Sequence, residues 1–220
     1  MALQIGFLLF PRVQQLDLAG PYDVLASMPD TSVRLIWKTR DPVTSSTGMV
    51  LSPDTTFDDC PQVDVLCIPG GSGVGDLLLD EATLSFVRRQ AKHARYVTSV
   101  CTGALVLGAA GLLRDRRATT HWGFHELLAP FGAIPVRDGN LMTGGGITAG
   151  IDFALTLAAE LIGVEGAEAL QLELEYAPAP PFNAGSPDTA PRAVVEHVRD
   201  ANAASLAARR RIVEEAAARL

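Results

Sequence analysis

The chain has no long hydrophobic run: no apolar stretch in its 220 residues reaches ~18, so no membrane-spanning helix is expected. It also lacks an excess of positive charge. Eighteen Lys and Arg against 25 Asp and Glu leave a net charge of −7, which argues against a nucleic-acid surface and favours solubility. The start, Met-Ala-Leu-Gln-Ile-Gly-Phe-Leu-Leu-Phe-Pro, has no basic segment and no small-residue cleavage site, and reads as a first strand rather than a signal peptide. Cysteine is scarce and odd in number. Cys60, Cys67 and Cys101 make no disulfide framework, and no C-x-x-C occurs. The four histidines are not grouped like a metal site. His121 and His125 stand four apart, but without the glutamate of an H-E-x-x-H motif. No internal repeat is visible, and neither is a helix-turn-helix pair after the core.

What is present is a hydrophobic content of 48% and a charged content of 20%, enough apolar material for one large domain. Leu3 to Leu9 reads as a strand. Pro11 to Gly20 reads as a loop, with Pro21 opening a helix to Met28. Val33 to Lys38 is a second strand, and Gly48 to Leu51 with Thr55 to Phe57 form a short hairpin or edge element. Val63 to Ile68 is a continuous apolar run, the pattern of a central parallel strand. Asp80 caps a helix to His93. Arg117 to Thr120 is a short strand, and His121 to Phe131 is helical. Ile134 to Val136 and Asn140 to Thr143 face each other across Arg137-Asp138-Gly139, a hairpin signal. Helices follow over Thr148 to Leu161 and Val164 to Tyr176. Pro178 to Pro191 holds five prolines in fourteen residues and is irregular. Ala193 to Leu220 is a terminal helix with a break expected near Asp200 to Ala203. This alternation predicts a doubly wound, mostly parallel α/β sheet.

One stretch carries chemistry. Tyr96 to Val100 reads as a buried strand and Thr102 to Ala110 as a helix that Gly111 ends, so Cys101 falls at a strand-to-helix elbow. Such a turn strains the junction residue and lifts its side chain above the carboxyl edge of the sheet. A thiol at a helix N-terminus can have its pKa lowered from ~8.5 to roughly 3.5–7.5. Gly103 and Ala104 leave room around it. Asp17, between Leu16 and Leu18, is either a turn cap or a general acid–base group reaching the same edge. Gly70-Gly71 ends the neighbouring central strand. Its N–H groups, with that of Thr102, are candidates to bind developing negative charge, or else they form a plain tight turn. Thr120, His121 and Asp152 are weaker candidates.

Ser99-Val100-Cys101-Thr102-Gly103-Ala104, the Pro69-Gly70-Gly71 turn and the acid of the first loop resemble the ThiJ/PfpI superfamily, relatives of the class I glutamine amidotransferases. Phe7-Leu8-Leu9-Phe10-Pro11, Ala118-Thr119-Thr120-His121-Trp122, Gly144 to Asp152 and Glu175 to Asn183 extend the resemblance over nearly the whole chain. It lies closest to the isocyanide-hydrating branch of that superfamily. The resemblance implies a flavodoxin-like single domain over 1–220, with the proline-rich segment 178–191 and the C-terminal helix 193–220 as its additions. It also implies a cytoplasmic homodimer, a small-molecule isocyanide substrate and no cofactor. Cys101 is then the nucleophile, Asp17 the proton carrier, and Thr102, Gly70 and Gly71 hold substrate or water. Asp17 stands where several members have glutamate. Thr102 stands where the peptidase branch has histidine, which speaks against a peptidase. The connection Val136 to Asn140 looks short for the hydrating branch. The competing expectations are glyoxalase- or deglycase-like chemistry at the same cysteine, or a ligand- or redox-sensing domain.

Overall fold

A computed structural model describes residues 2–135 and 143–220. The Asp138-Gly139 hairpin and the Val136 to Asn140 connection fall outside the described residues. In chain order the elements are β1 (Leu3–Leu8), α1 (Gln15–Ala26), β2 (Thr31–Trp37), β3 (Val43–Thr44), β4 (Val50–Leu51), β5 (Thr55–Thr56), β6 (Val65–Ile68), α2 (Val74–Leu77), α3 (Glu81–Ala91), β7 (Tyr96–Ser99), α4 (Ala104–Ala109), β8 (Arg117–Ala118), β9 (Ile134–Pro135), α5 (Ala149–Ile162), α6 (Val164–Glu173) and α7 (Arg192–Ala217). Two 3₁₀ segments, Cys101–Gly103 and Trp122–Phe131, complete the set.

The main sheet has the order β5-β2-β1-β6-β7, and every pairing in it is parallel. The order reverses direction beside β1, the arrangement of a doubly wound flavodoxin-like α/β fold. Apart from Gln4 near the start of β1, both central strands are apolar because helices cover both faces. Ile5, Phe7, Leu8 and the run Val65 to Ile68 are buried. Right-handed crossovers place α1 and α3 on opposite faces. Accordingly α1 packs on α5 and α5 on α6, whereas α4 packs on α2, α3 and α7. The small elements differ from expectation. Thr55–Thr56 pairs with β2 as the sheet edge, and the hairpin partner of Val50–Leu51 is Val43–Thr44.

Two larger corrections bear on the site. Helix α1 begins at Gln15, not at Pro21, so Asp17 lies in its first turn and Pro21 inside it. Proline there gives up one backbone bond. Burial of Leu18, Val24 and Leu25 outweighs that loss, as does the close fit of α1 on α5. A Cβ on Gly20 would stand 3.0 Å from Ile151, and one on Gly150 would stand 3.1 Å from Pro21. Helix α7 runs unbroken through Asp200 to Ala203, where Asn202 donates to the Val198 carbonyl one turn back. Most of α7 is exposed. Arg209, Val213 and Ala216 are its buried residues, and it lies against α4 and the Trp122–Phe131 segment. The segment Pro178 to Pro191 has no regular structure, as its prolines require.

Candidate active site

β7 ends at Ser99, Val100 is still extended, and Cys101 turns the chain with φ +53. A left-handed conformation costs a residue with a Cβ roughly 1–2 kcal/mol, so its neighbours must hold it. They do so with four bonds. Val100 N–H donates to the Ile68 carbonyl at 3.0 Å, Cys101 N–H to Gly145 at 2.8 Å, and Gly103 N–H to Val100 at 3.0 Å. The Thr120 hydroxyl donates to the Cys101 carbonyl at 2.7 Å. Gly103 has no room for a side chain: a Cβ there would lie 2.1 Å from the Ile68 carbonyl oxygen. The turn lies at the carboxyl edge of β7 beside β6, and a 3₁₀ turn over Cys101–Gly103 precedes the helix, which starts at Ala104 rather than at Thr102.

Asp17 reaches this edge from α1 and is 1% exposed. Its Oδ2 accepts the Gly70 N–H at 2.8 Å. Its Oδ1 is buried and takes no hydrogen bond of ordinary geometry; the Cys101 thiol is the remaining hydrogen-bonding group beside the carboxyl. Burial raises the Asp17 pKa from 3.8 to about 7, against the pull of the Gly70 N–H and of Cys101. Burial, and after it the Asp17 charge, push the Cys101 thiol above the ordinary thiol range, while the Thr102 N–H pulls it down. The helix end therefore does not lower the resting thiol as expected. Cys101 is only 6% exposed and opens into a three-residue 3₁₀ turn and a six-residue helix, so desolvation outweighs the dipole. Thiol and carboxyl titrate as one coupled pair.

The Gly70-Gly71 turn is not a pair of bare donors. Gly70 N–H is taken by Asp17, and Gly71 N–H donates to Thr102 Oγ1 at 3.2 Å. A Cβ on Gly70 would sit 2.7 Å from Asp17 Oδ2, Thr102 N and Thr102 Oγ1 alike. The turn thus ties Asp17 to Thr102, the residue after Cys101. Among the weaker candidates, Thr120 fixes the elbow. His121 accepts the Gly123 N–H at 3.2 Å through Nδ1, and burial lowers its pKa. Asp152 accepts the Tyr176 hydroxyl at 3.0 Å, tying α5 to the chain after α6. Arg209 was not foreseen. It comes from α7, is 7% exposed, and donates to the carbonyls of Gly71 and Ser72. In the sequence it is one arginine in the run Arg209 to Arg211, with nothing to separate it from a solvated face.

A cysteine held in a strained conformation at the carboxyl edge of a doubly wound sheet, facing a buried acid, defines the class: an α/β protein with a cysteine at its strand-to-helix elbow. Residues 4–160 match the DJ-1/PfpI family, and the chain belongs to that family. It is 69% identical over 225 residues to the isonitrile hydratase of Pseudomonas putida, an alignment covering 100% of this chain and 99% of that protein. A ThiJ/PfpI family protein from Pseudomonas syringae superposes with a TM-score of 0.89 at 43% identity, over 99% of this chain and 91% of that one. The transcriptional regulator GbdR of Pseudomonas aeruginosa is 32% identical over 169 residues, 70% of this chain but 45% of the regulator.

Proposed function

We propose that the protein hydrates isocyanides (isonitriles) to N-substituted formamides through a covalent thioimidate on Cys101. The observation that carries this reading is full-length similarity, at 69% identity, to an isonitrile hydratase. The geometry supplies the chemistry. The ionised Asp17 carboxylate accepts the thiol proton, and the sulfur bonds to the terminal carbon of R–N≡C. The proton then goes to that carbon, giving R–N=CH–S–Cys101. Water adds to the same carbon while Asp17 passes one of its protons to nitrogen. The C–S bond breaks, the remaining hydroxyl proton returns to sulfur by way of Asp17, and R–NH–CHO leaves. No cofactor enters this sequence. Thr102 Oγ1 accepts from Gly71, and the Thr102 side chain also hydrogen-bonds Cys101, where it favours the thiolate. Gly70 and Gly71 act through Asp17 and Thr102 rather than on substrate directly.

The proposal extends to the whole chain as one domain, 1–220, working as a cytoplasmic homodimer with neither nucleic acid nor membrane as a partner. Three free cysteines suit a reducing compartment. Val164, Leu172, Leu174 and Phe182 expose large apolar surface on α6 and the segment after it, which suits a second copy. The test is to incubate the purified protein with an alkyl and an aryl isocyanide, and separately with methylglyoxal. Formamide formation from the isocyanides alone supports the reading. Turnover of methylglyoxal in place of isocyanide would transfer the same cysteine to glyoxalase-like chemistry.

A further inference from the structure

The charged groups around the elbow do not balance. Asp17 and Cys101 are the two groups able to become anionic there. Arg209 is a buried cation, and among the described residues no carboxylate forms an ion pair with it. Its neighbour Arg210 is half exposed and pairs with Glu126. The Arg209 guanidinium stands 4.8 Å over the Phe124 ring and donates through Nη2 to the Gly71 carbonyl at 3.3 Å and the Ser72 carbonyl at 3.4 Å. The carbonyls on Nη2 and the ring face are neutral, so these contacts leave its charge unneutralised. A buried unpaired charge is costly to keep.

The same two contacts put Arg209 in the chain of bonds that builds the site. It holds the carbonyls of the turn whose N–H groups hold Asp17 and Thr102. We propose that Arg209, carried by α7, is a positioning residue of this site: it locks the Gly70-Gly71-Ser72 turn and sets a positive charge that favours the thiolate of Cys101. The inference rests on Cys101 being the nucleophile. Burial works against the Arg209 charge, and the charge of Cys101 is what favours it. Three titratable groups face this locus besides the thiol: Asp17 from α1, Arg209 from α7 and His121 ahead of the Trp122–Phe131 segment. Burial and, after it, the Arg209 charge lower the His121 pKa.

Two variants separate charge from scaffold. Arg209→Gln keeps a donor for the turn carbonyls and removes the charge, while Arg209→Lys keeps the charge. The readout is the rate of iodoacetamide alkylation of Cys101 in the full chain, followed by mass spectrometry from about pH 6 to 9. Arg209→Gln is expected to slow alkylation about tenfold across this pH range. Arg209→Lys is expected to follow the wild type. A Gln profile that superimposes on the wild type overturns the inference, and so does an equal slowing in Gln and Lys. If Arg209→Gln does not fold, Arg209→Met is read in its place; failure of both to fold makes the guanidinium structural and overturns the inference as well. A wild-type Cys101 that does not alkylate at all removes this inference together with the nucleophile. Normal alkylation without isocyanide turnover removes only the substrate assignment.

Discussion

The Asp17 carboxylate and the Gly70 amide are 2.8 Å apart, and this bond fastens the first turn of α1 to the end of β6. Gly70 also lies against Thr102, so one backbone position spaces Asp17 from the residue after Cys101. Gly70→Ala is expected to push both apart. Overpacking of this kind costs about 1–3 kcal/mol of stability. A displacement near 1 Å of a group doing chemistry costs about 10²-fold in rate. Gly48→Ala is the matched control. Gly48 has φ +98 with nothing within 4 Å of a Cβ, so alanine there is strained but collides with nothing. It should lose about 1–2 kcal/mol and no activity. Melting temperatures and kcat of the two variants check this, and equal activity losses would contradict it.

Cys101→Ala should leave the fold intact and turnover at background, because alanine fits the elbow and supplies no nucleophile. The three thiols should also differ in reactivity. Burial pushes Cys60 up to about 11 and Cys67 up to about 12, as it also pushes Cys101 up, but neither of the two is hydrogen-bonded to a carboxyl. Cys101 has Asp17. Iodoacetamide at pH 8 should therefore label Cys101 ahead of Cys60, although Cys60 is the more exposed. Peptide mapping decides, and faster labelling of Cys60 would remove the special role of the pair.

The main strands and the elbow were legible because their signals are local. Val65 to Ile68 is an unbroken apolar run, and Tyr96 to Ala110 passes from β-branched residues to small helix formers around one cysteine. The start of α1 was not legible, since Pro21 is a strong local signal and the packing that overrides it comes from Ile151, far along the chain. The same holds for the turn at Gly70. A sequence shows two flexible residues with free N–H groups, whereas Asp17 and Thr102, which occupy those groups, lie 53 and 31 positions away from their partners. Arg209 meets its carbonyls 138 and 137 positions back, and no periodicity in α7 announces that. The thiol pKa was misjudged for a related reason: a helix end is visible in sequence, but the depth at which it is buried is not.

Leu172 and Phe182 are 81% and 79% exposed in the single chain. Exposed single substitutions usually change stability by less than about 0.5 kcal/mol. Leu172→Glu and Phe182→Asp should therefore leave a monomer folded. If this face is where two copies meet, the wild type should scatter light with twice the 23.3 kDa chain mass, and the double variant should fall to the single mass. A wild-type protein monomeric at micromolar concentration would contradict the dimer, and a double variant still dimeric would move the interface elsewhere.

Asp17→Asn separates catalysis from stability because the two should move in opposite directions. Below about pH 7 the wild-type pair holds both protons, and the carboxyl cannot take the one on sulfur. The rate should then fall with acidification through that range. Asn cannot exchange a proton, so the variant should lose roughly 10²–10⁴ in kcat and lose the acid limb with it. Stability has the other sign. The folded pKa of Asp17, about 7, lies above its unfolded value near 3.8. The group therefore favours folding fully below about pH 4, and that contribution disappears as pH rises through 7. A gap of this size corresponds to about 4 kcal/mol of burial cost for the ionised form. Asn carries no such cost, so the variant should melt above the wild type at pH 8, with the difference closing towards pH 4. If Asp17 only capped α1, Asn would serve nearly as well, and both the rate and its pH profile would be unchanged. Kinetics and thermal melts of this one variant at pH 4, 6 and 8 distinguish the two roles. A variant with normal kcat would leave the Cys101 thiol with no group to take its proton.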